Sequence, residues 1–177
     1  MLIEAFDPKT AGDAEWQALN RFANSRRQEE WPDDLPLPVE KTRLDMTVIK
    51  DNGRRYTWVA WQGEDIIGKA NLWVEDAETN THLAWLDLWV LAPTRGQGLG
   101  RQLLALAAET ARCEGRRLLM GETDSYAPAG DAFTAHLGAS KRASRHQRPL
   151  LAEGFLEVFG ECFGTGDRCT VVFHIDR

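Results

Sequence analysis

A chain of 177 residues should bury roughly 70% of the surface that its extended form exposes, which suits one domain with its own core. With 43% hydrophobic residues, 27% charged residues and seven Trp, it has the apolar surface to offset the entropy of ordering, so disorder is excluded as its main state. The 21 Lys and Arg against 27 Asp and Glu give a net charge of -6, the opposite of a nucleic-acid binder's basic footprint, and any anionic ligand must be held by local donors.

The opening MLIEAFDPKT lacks the basic and apolar regions of a leader, and no run approaches the roughly 18 apolar residues of a membrane span. The expectation is a soluble, cytoplasmic protein with no membrane and no nucleic-acid partner. Cys113, Cys162 and Cys169 are odd in number and form no CxxC pair, which suggests neither a disulfide framework nor a zinc site.

In chain order, Leu2 to Phe6 reads as a short strand, and Asp7 to Gly12 as a turn and cap. A helix follows from about Asp13 to Glu30, with Trp16, Leu19, Phe22 and Ala23 on one face. Pro32, Pro36 and Pro38 break it, and a second helix runs from about Val39 to Lys50 with Leu44, Met46 and Val48 inward. The period then changes. Arg55 to Trp61, Ile66 to Glu75 and His82 to Leu91 predict an antiparallel meander, its first turn at Gln62-Gly63-Glu64-Asp65.

Past Pro93 a helix carries Leu99, Leu103, Leu106, Ala107 and Thr110 on one side and ends at Gly115. Arg117 to Gly121 fits a buried strand, and Pro128 to Leu137 a short helix closed by Gly138. In the tail, Arg148 to Leu151 and Cys169 to Ile175 read as strands, and Phe155 to Phe163 as helix or irregular chain. With no repeat or linker, residues 1–177 make a single α+β domain.

The segment richest in chemistry is Leu86-Asp-Leu-Trp-Val-Leu-Ala-Pro-Thr-Arg95-Gly-Gln-Gly98-Leu-Gly100-Arg101, a strand feeding a loop with three glycines that opens a helix. Glycines let the backbone approach a ligand closely, and the first turn of a helix offers unpaired N–H groups at its positive dipole end. That combination cradles phosphate or pyrophosphate. The glycine spacing fails the dinucleotide fingerprint because the third glycine comes one position early and the loop follows the fourth strand. No Gly-Lys-Ser/Thr of a nucleotide P-loop occurs.

Arg95, Gly98 and Gly100 meet the pattern Arg/Gln-x-x-Gly-x-Gly/Ala after an apolar strand, and on this the chain resembles the GCN5-related N-acetyltransferases. Element order extends the likeness from about Leu2 to Leu151. The likeness is specific over 83–138 and weak over 152–177. It implies a mixed, mostly antiparallel central sheet flanked by helices on both faces, and acetyl-CoA as co-substrate. The backbone of Leu88, Trp89 and Val90 would hydrogen-bond the pantetheine arm, and Arg95, Gly96, Gln97, Gly98, Leu99, Gly100 and Arg101 would hold the pyrophosphate.

Acyl transfer to an amine needs a base for the ammonium proton and a proton for the departing thiolate. The resemblance places Glu122, after Leu118-Leu-Met-Gly121, where some members carry their base. Strand alternation puts Asp87 on the face opposite Leu86 and Leu88. Each acid also has a structural reading, Glu122 as a cap and Asp87 as an acceptor for a neighbouring element. Thr134 stands where many members have their acidic Tyr, and Ala127 where they often have Asn; Tyr126 is the substitute donor or a loop ring packed on the core.

The four His lack ligand spacing, so no metal is expected. Trp58, Trp61, Trp73, Trp85 and Trp89 lie on predicted strands and read as core rather than as a cage for a cation. Trp31, Asp33 and Asp34 form an acidic, aromatic lip or a solvated loop. The expected activity is transfer of acetyl from acetyl-CoA to a small-molecule or peptide amine by direct attack in a ternary complex, since no Cys has an adjacent base. The alternatives are a non-catalytic acyl-CoA-binding sensor or partner-binding domain and, more distantly, a dinucleotide enzyme. The sequence leaves the oligomeric state open, a homodimer included.

Overall fold

The computed structural model describes residues 1–48, 53–76, 78–124, 128–137, 139–143 and 168–175. They fall into two compact units, Met1–Leu119 with His174–Arg177, and Met120–Phe173. The class is α+β, as the sequence predicts. In the first unit, β1 (Leu2–Ala5), β2 (Gly53–Gln62), β3 (Asp65–Glu75) and β4 (Leu83–Val90) pair antiparallel in that order. Helices α1 (Asp13–Glu30) and α2 (Val39–Thr47) cover one face, and α3 (Leu99–Cys113) covers the other.

Strand β3 therefore has both faces covered, and its sequence shows it: Ile66, Ile67, Gly68, Ala70, Asn71, Leu72 and Val74 are all buried. Toward α3, Gly68 leaves the space that Leu99 and Leu103 fill. A Cβ there would lie 3.0 Å from Leu99 Cδ2 and 3.2 Å from Leu103 Cδ1, so the missing side chain sets how closely the start of α3 seats on the sheet. Toward α1, Phe6, Trp16, Leu19, Phe22, Met46, Val59 and Ile66 form one apolar cluster. Phe6 and Trp16 meet edge to face at 5.2 Å.

Helix α1 starts with a capping-box contact, Glu15 Oε2 accepting the Gly12 N–H at 2.7 Å. Asn24 holds the segment after it by exchanging two hydrogen bonds with the Leu37 backbone, at 2.8 and 3.0 Å. Helix α2 differs from expectation. It buries Thr42 and Met46, whereas Leu44 and Val48 are 55% and 51% exposed. The side of α2 turned to α1 is partly polar, because Thr42 accepts a hydrogen bond from Asn20 Nδ2 at 2.8 Å, and an apolar periodicity could not find it. Leu106 of α3 is likewise exposed.

Strand β5 (Leu118–Asp124) begins beside β4, where the Arg117 and Leu118 N–H groups both donate to His82 O at 2.8 and 3.0 Å. In the second unit, α4 (Pro128–His136) follows, and β6 (Ser140–Ala143) pairs antiparallel with β7 (Arg168–His174). The strand expected at Arg148 to Leu151 and the segment Phe155 to Phe163 lie outside the described residues. Among those residues, no helix is long and apolar enough to cross a membrane.

Candidate active site

The glycine loop runs from the end of β4 through a single 3-10 turn, Ala92–Thr94, to α3. Gly96 and Gly98 have φ of +77° and +82°, the left-handed region that side chains avoid, and Gly98 is the N-cap of α3. Among the described residues, a Cβ on either would meet no atom within 4 Å, so none of them fills the place a side chain would take there. The first helical hydrogen bond is Gln102 N–H to Gly98 O at 3.2 Å, which leaves the N–H groups of Leu99, Gly100 and Arg101 ahead of it. No carboxylate sits in this first turn to consume its positive dipole end. Converging donors, solvent-exposed glycines and open space fit a pyrophosphate.

Along β4 the register decides which backbone groups are available. Leu91 N–H donates to Ile67 O at 3.0 Å, and Trp89 lies opposite Lys69, so the Trp89 amide and carbonyl face β3. Leu88 and Val90 face the other way. The expectation that all three residues hydrogen-bond the pantetheine thus narrows to Leu88 and Val90, and the Val90 carbonyl already accepts Arg95 Nε at 2.8 Å. The Arg95 guanidinium is also paired with Glu29 of α1, at 2.6 and 2.9 Å.

Asp87 lies on the face of the sheet covered by α1. Its carboxylate accepts Arg26 Nη1 at 2.9 and 3.0 Å and Asn71 Nδ2 at 3.4 Å, and Asn71 Oδ1 accepts Thr57 Oγ1 at 2.8 Å. Thr57, Asn71 and Asp87 are directly opposite one another on β2, β3 and β4, so the row follows from register. Burial alone would raise the Asp87 pKa, but the Arg26 and Lys69 charges and the two hydrogen bonds hold it below the usual carboxylate range. Beside it, burial pushes the Lys69 ammonium down to about 8, with Asp87 opposing the shift.

Trp89 shares this face. Arg26 and Arg95 lie 4.8 and 5.4 Å from its ring centre, so its π surface is already taken by two guanidiniums. The five strand tryptophans are partly rather than fully buried, with Trp61 and Trp89 packed against the apolar cluster. At the lip, Arg27 pairs with Asp34 at 2.6 Å and lies 5.8 Å from the Trp31 ring, which engages two of its three expected members.

In the second unit, Glu122 is exposed on β5 while Gly121 and Thr123 are buried on the alternate side. Thr134 is 3% exposed and its hydroxyl donates to Asp131 O at 3.0 Å, a bond within α4 rather than a free donor. Tyr126 and Ala127 lie outside the described residues. Among those residues no group of His, Cys, Asp and Glu is placed to hold a metal ion.

Arg26, Glu29, Asn71 and Lys69 were not foreseen. Lys69 alone left a signal, a single charge inside the apolar run Ile66-Ile-Gly-Lys-Ala-Asn-Leu-Trp-Val74 of a strand covered on both faces.

The sequence model of the Acetyltransferase (GNAT) family matches residues 16–139. No curated protein matches the chain in sequence. Among solved structures, the chain is similar to yncA of Salmonella typhimurium, solved with acetyl-CoA, at TM-score 0.64 and 17% identity over 99% of this chain and 94% of that one. It is similar to the GNAT domain of S. lividans PAT at TM-score 0.66 and 15% identity, covering 97% and 89%. Ribosomal-protein-alanine N-acetyltransferase of Brucella melitensis gives TM-score 0.63 and 18% identity, covering 98% and 99%. These identities speak for the fold, and the match over 16–139 takes in the glycine loop, α3, β5 and α4, so the chain belongs to the acetyltransferase (GNAT) family.

Proposed function

We propose that the protein moves an acetyl group from acetyl-CoA to the nitrogen of an amine acceptor, in a ternary complex and without a covalent enzyme intermediate. The observation that carries this reading is the pair of left-handed glycines, with open space above them, at the N-terminus of α3. Acetyl-CoA is the acyl donor that the family and one structural neighbour suggest.

The acceptor nitrogen attacks the thioester carbonyl, the C–S bond breaks, and the nitrogen gives up a proton. Glu122 takes that proton in this reading, because it stands on β5 at the position where some members of the family carry their base. Asp87 acts instead as a fixed negative charge, since Arg26 and Asn71 already occupy its lone pairs. The thiolate of CoA is stable enough near neutral pH, with a thiol pKa of about 8.5, that no strong acid is required. Tyr126 is the candidate for returning a proton, and Thr134 a minor one. The acceptor is a small molecule or a peptide, handled in the cytoplasm without nucleic acid or membrane.

The test is free-thiol release from acetyl-CoA across a panel of small amines, amino acids and peptide N-termini. At least one amine should accelerate release well above hydrolysis. Tight CoA binding with no turnover on any amine would favour a sensor or partner-binding domain instead.

A further inference from the structure

The glycine loop is held in place by residues outside the motif that defines it. Arg95 Nη1 and Nη2 pair with Glu29 Oε1 and Oε2 at 2.6 and 2.9 Å, a two-pronged contact from α1 to the start of the loop. Its Nε donates to Val90 O at 2.8 Å, and its Cζ lies over the Trp89 ring, 5.4 Å from the centre. Each of the three guanidinium nitrogens thus makes one contact with the protein. The Arg95 and Glu29 side chains are 28% and 29% exposed. Gly96 follows immediately with its positive φ, and the direction in which the loop leaves β4 depends on where Arg95 is held.

We propose that Glu29 is a positioning residue for the anion cradle: it fixes Arg95 as a brace between α1, the end of β4 and the loop, so that Arg95 orders the pyrophosphate donors without itself being a phosphate ligand. This rests on the CoA reading given above. The proposal differs in sign from the obvious alternative. A cation that Glu29 merely restrains would be set free by removing Glu29, and CoA would bind more tightly. A brace that Glu29 holds would be loosened, and CoA would bind more weakly.

Calorimetric titration of CoA into the wild-type protein, Glu29→Gln, Arg95→Met and the double variant separates the two, with thermal melting as the check on folding. Glu29→Gln should weaken CoA binding about tenfold, in line with losing one charge-assisted hydrogen-bonded contact. Arg95→Met should weaken it at least as much, and the double variant no further, because Glu29 acts only through Arg95. Arg95→Lys keeps the charge but loses the fork and should also bind weakly. Unchanged or tighter binding in folded Glu29→Gln, or wild-type affinity in Arg95→Lys, overturns the proposal. Failure of the wild-type protein to bind CoA would instead overturn the CoA reading on which it rests.

Discussion

Gly98→Ala tests the cradle most cleanly because the structure supplies its own controls. Gly98, Gly63 and Gly115 have φ of +82°, +63° and +71°, and a Cβ at any of them meets no atom within 4 Å. An alanine at each site therefore carries the same left-handed backbone penalty, roughly 1–2 kcal/mol, and no steric clash within the protein. For a chain of this size that corresponds to a fall in Tm of about 2–8 °C for every one of the three variants. Only Gly98 faces the proposed pyrophosphate. Its methyl group enters the ligand's space, and losing one or two of the backbone donors should cost about 1–3 kcal/mol of binding, a rise in Kd of about 5- to 150-fold. Differential scanning calorimetry and CoA titration on the three variants measure both quantities. Equal CoA affinities for Gly98→Ala and Gly63→Ala would refute the reasoning, since strain would then be the only effect of either change.

Gly68→Ala should lower both Tm and CoA affinity, because the added Cβ, 3.0 Å from Leu99 Cδ2 and 3.2 Å from Leu103 Cδ1, presses on the two leucines that seat α3 on the sheet; unchanged CoA binding in a folded variant would detach that contact from the site. Lys69, held at about 8 against an ordinary 10.5, binds its proton less well in the folded chain, so stability should rise with pH across that window by up to about 3 kcal/mol, and the rise should vanish in Lys69→Met, read by urea melts at pH 7, 9 and 10.5. Glu122→Gln should reduce turnover by about 10²–10⁴-fold with CoA affinity kept, while Asp87→Asn acts mainly on acceptor KM and on stability; steady-state kinetics with the reverse pattern would exchange the two roles. Thr134→Ala should cost less than about tenfold in turnover, because its hydroxyl already donates to Asp131 O.

The glycine loop was legible because its logic is local: three glycines between an apolar strand and an amphipathic helix specify a turn geometry and a dipole end. The meander was legible for the same reason. Arg95 shows where that stops. The motif names it, but its use depends on Glu29, 66 residues earlier, and no pattern in either segment announces the other. The row Thr57, Asn71 and Asp87 required the register of three strands, which alternation alone does not fix. Strand β6 was missed because Ser140-Lys-Arg-Ala143 has neither apolar alternation nor β-branched residues; it is a strand through its pairing with β7.

The central claim is acetyl transfer from acetyl-CoA to nitrogen, and NMR of the reaction with acetyl-CoA labelled with carbon-13 at the carbonyl follows the reacting atom itself. With an accepting amine, the thioester resonance should decay while an amide carbonyl resonance grows to match it and free CoA thiol appears in equal amount. A thioester signal that persists in bound acetyl-CoA with every amine, or label that passes only to acetate, would contradict the account.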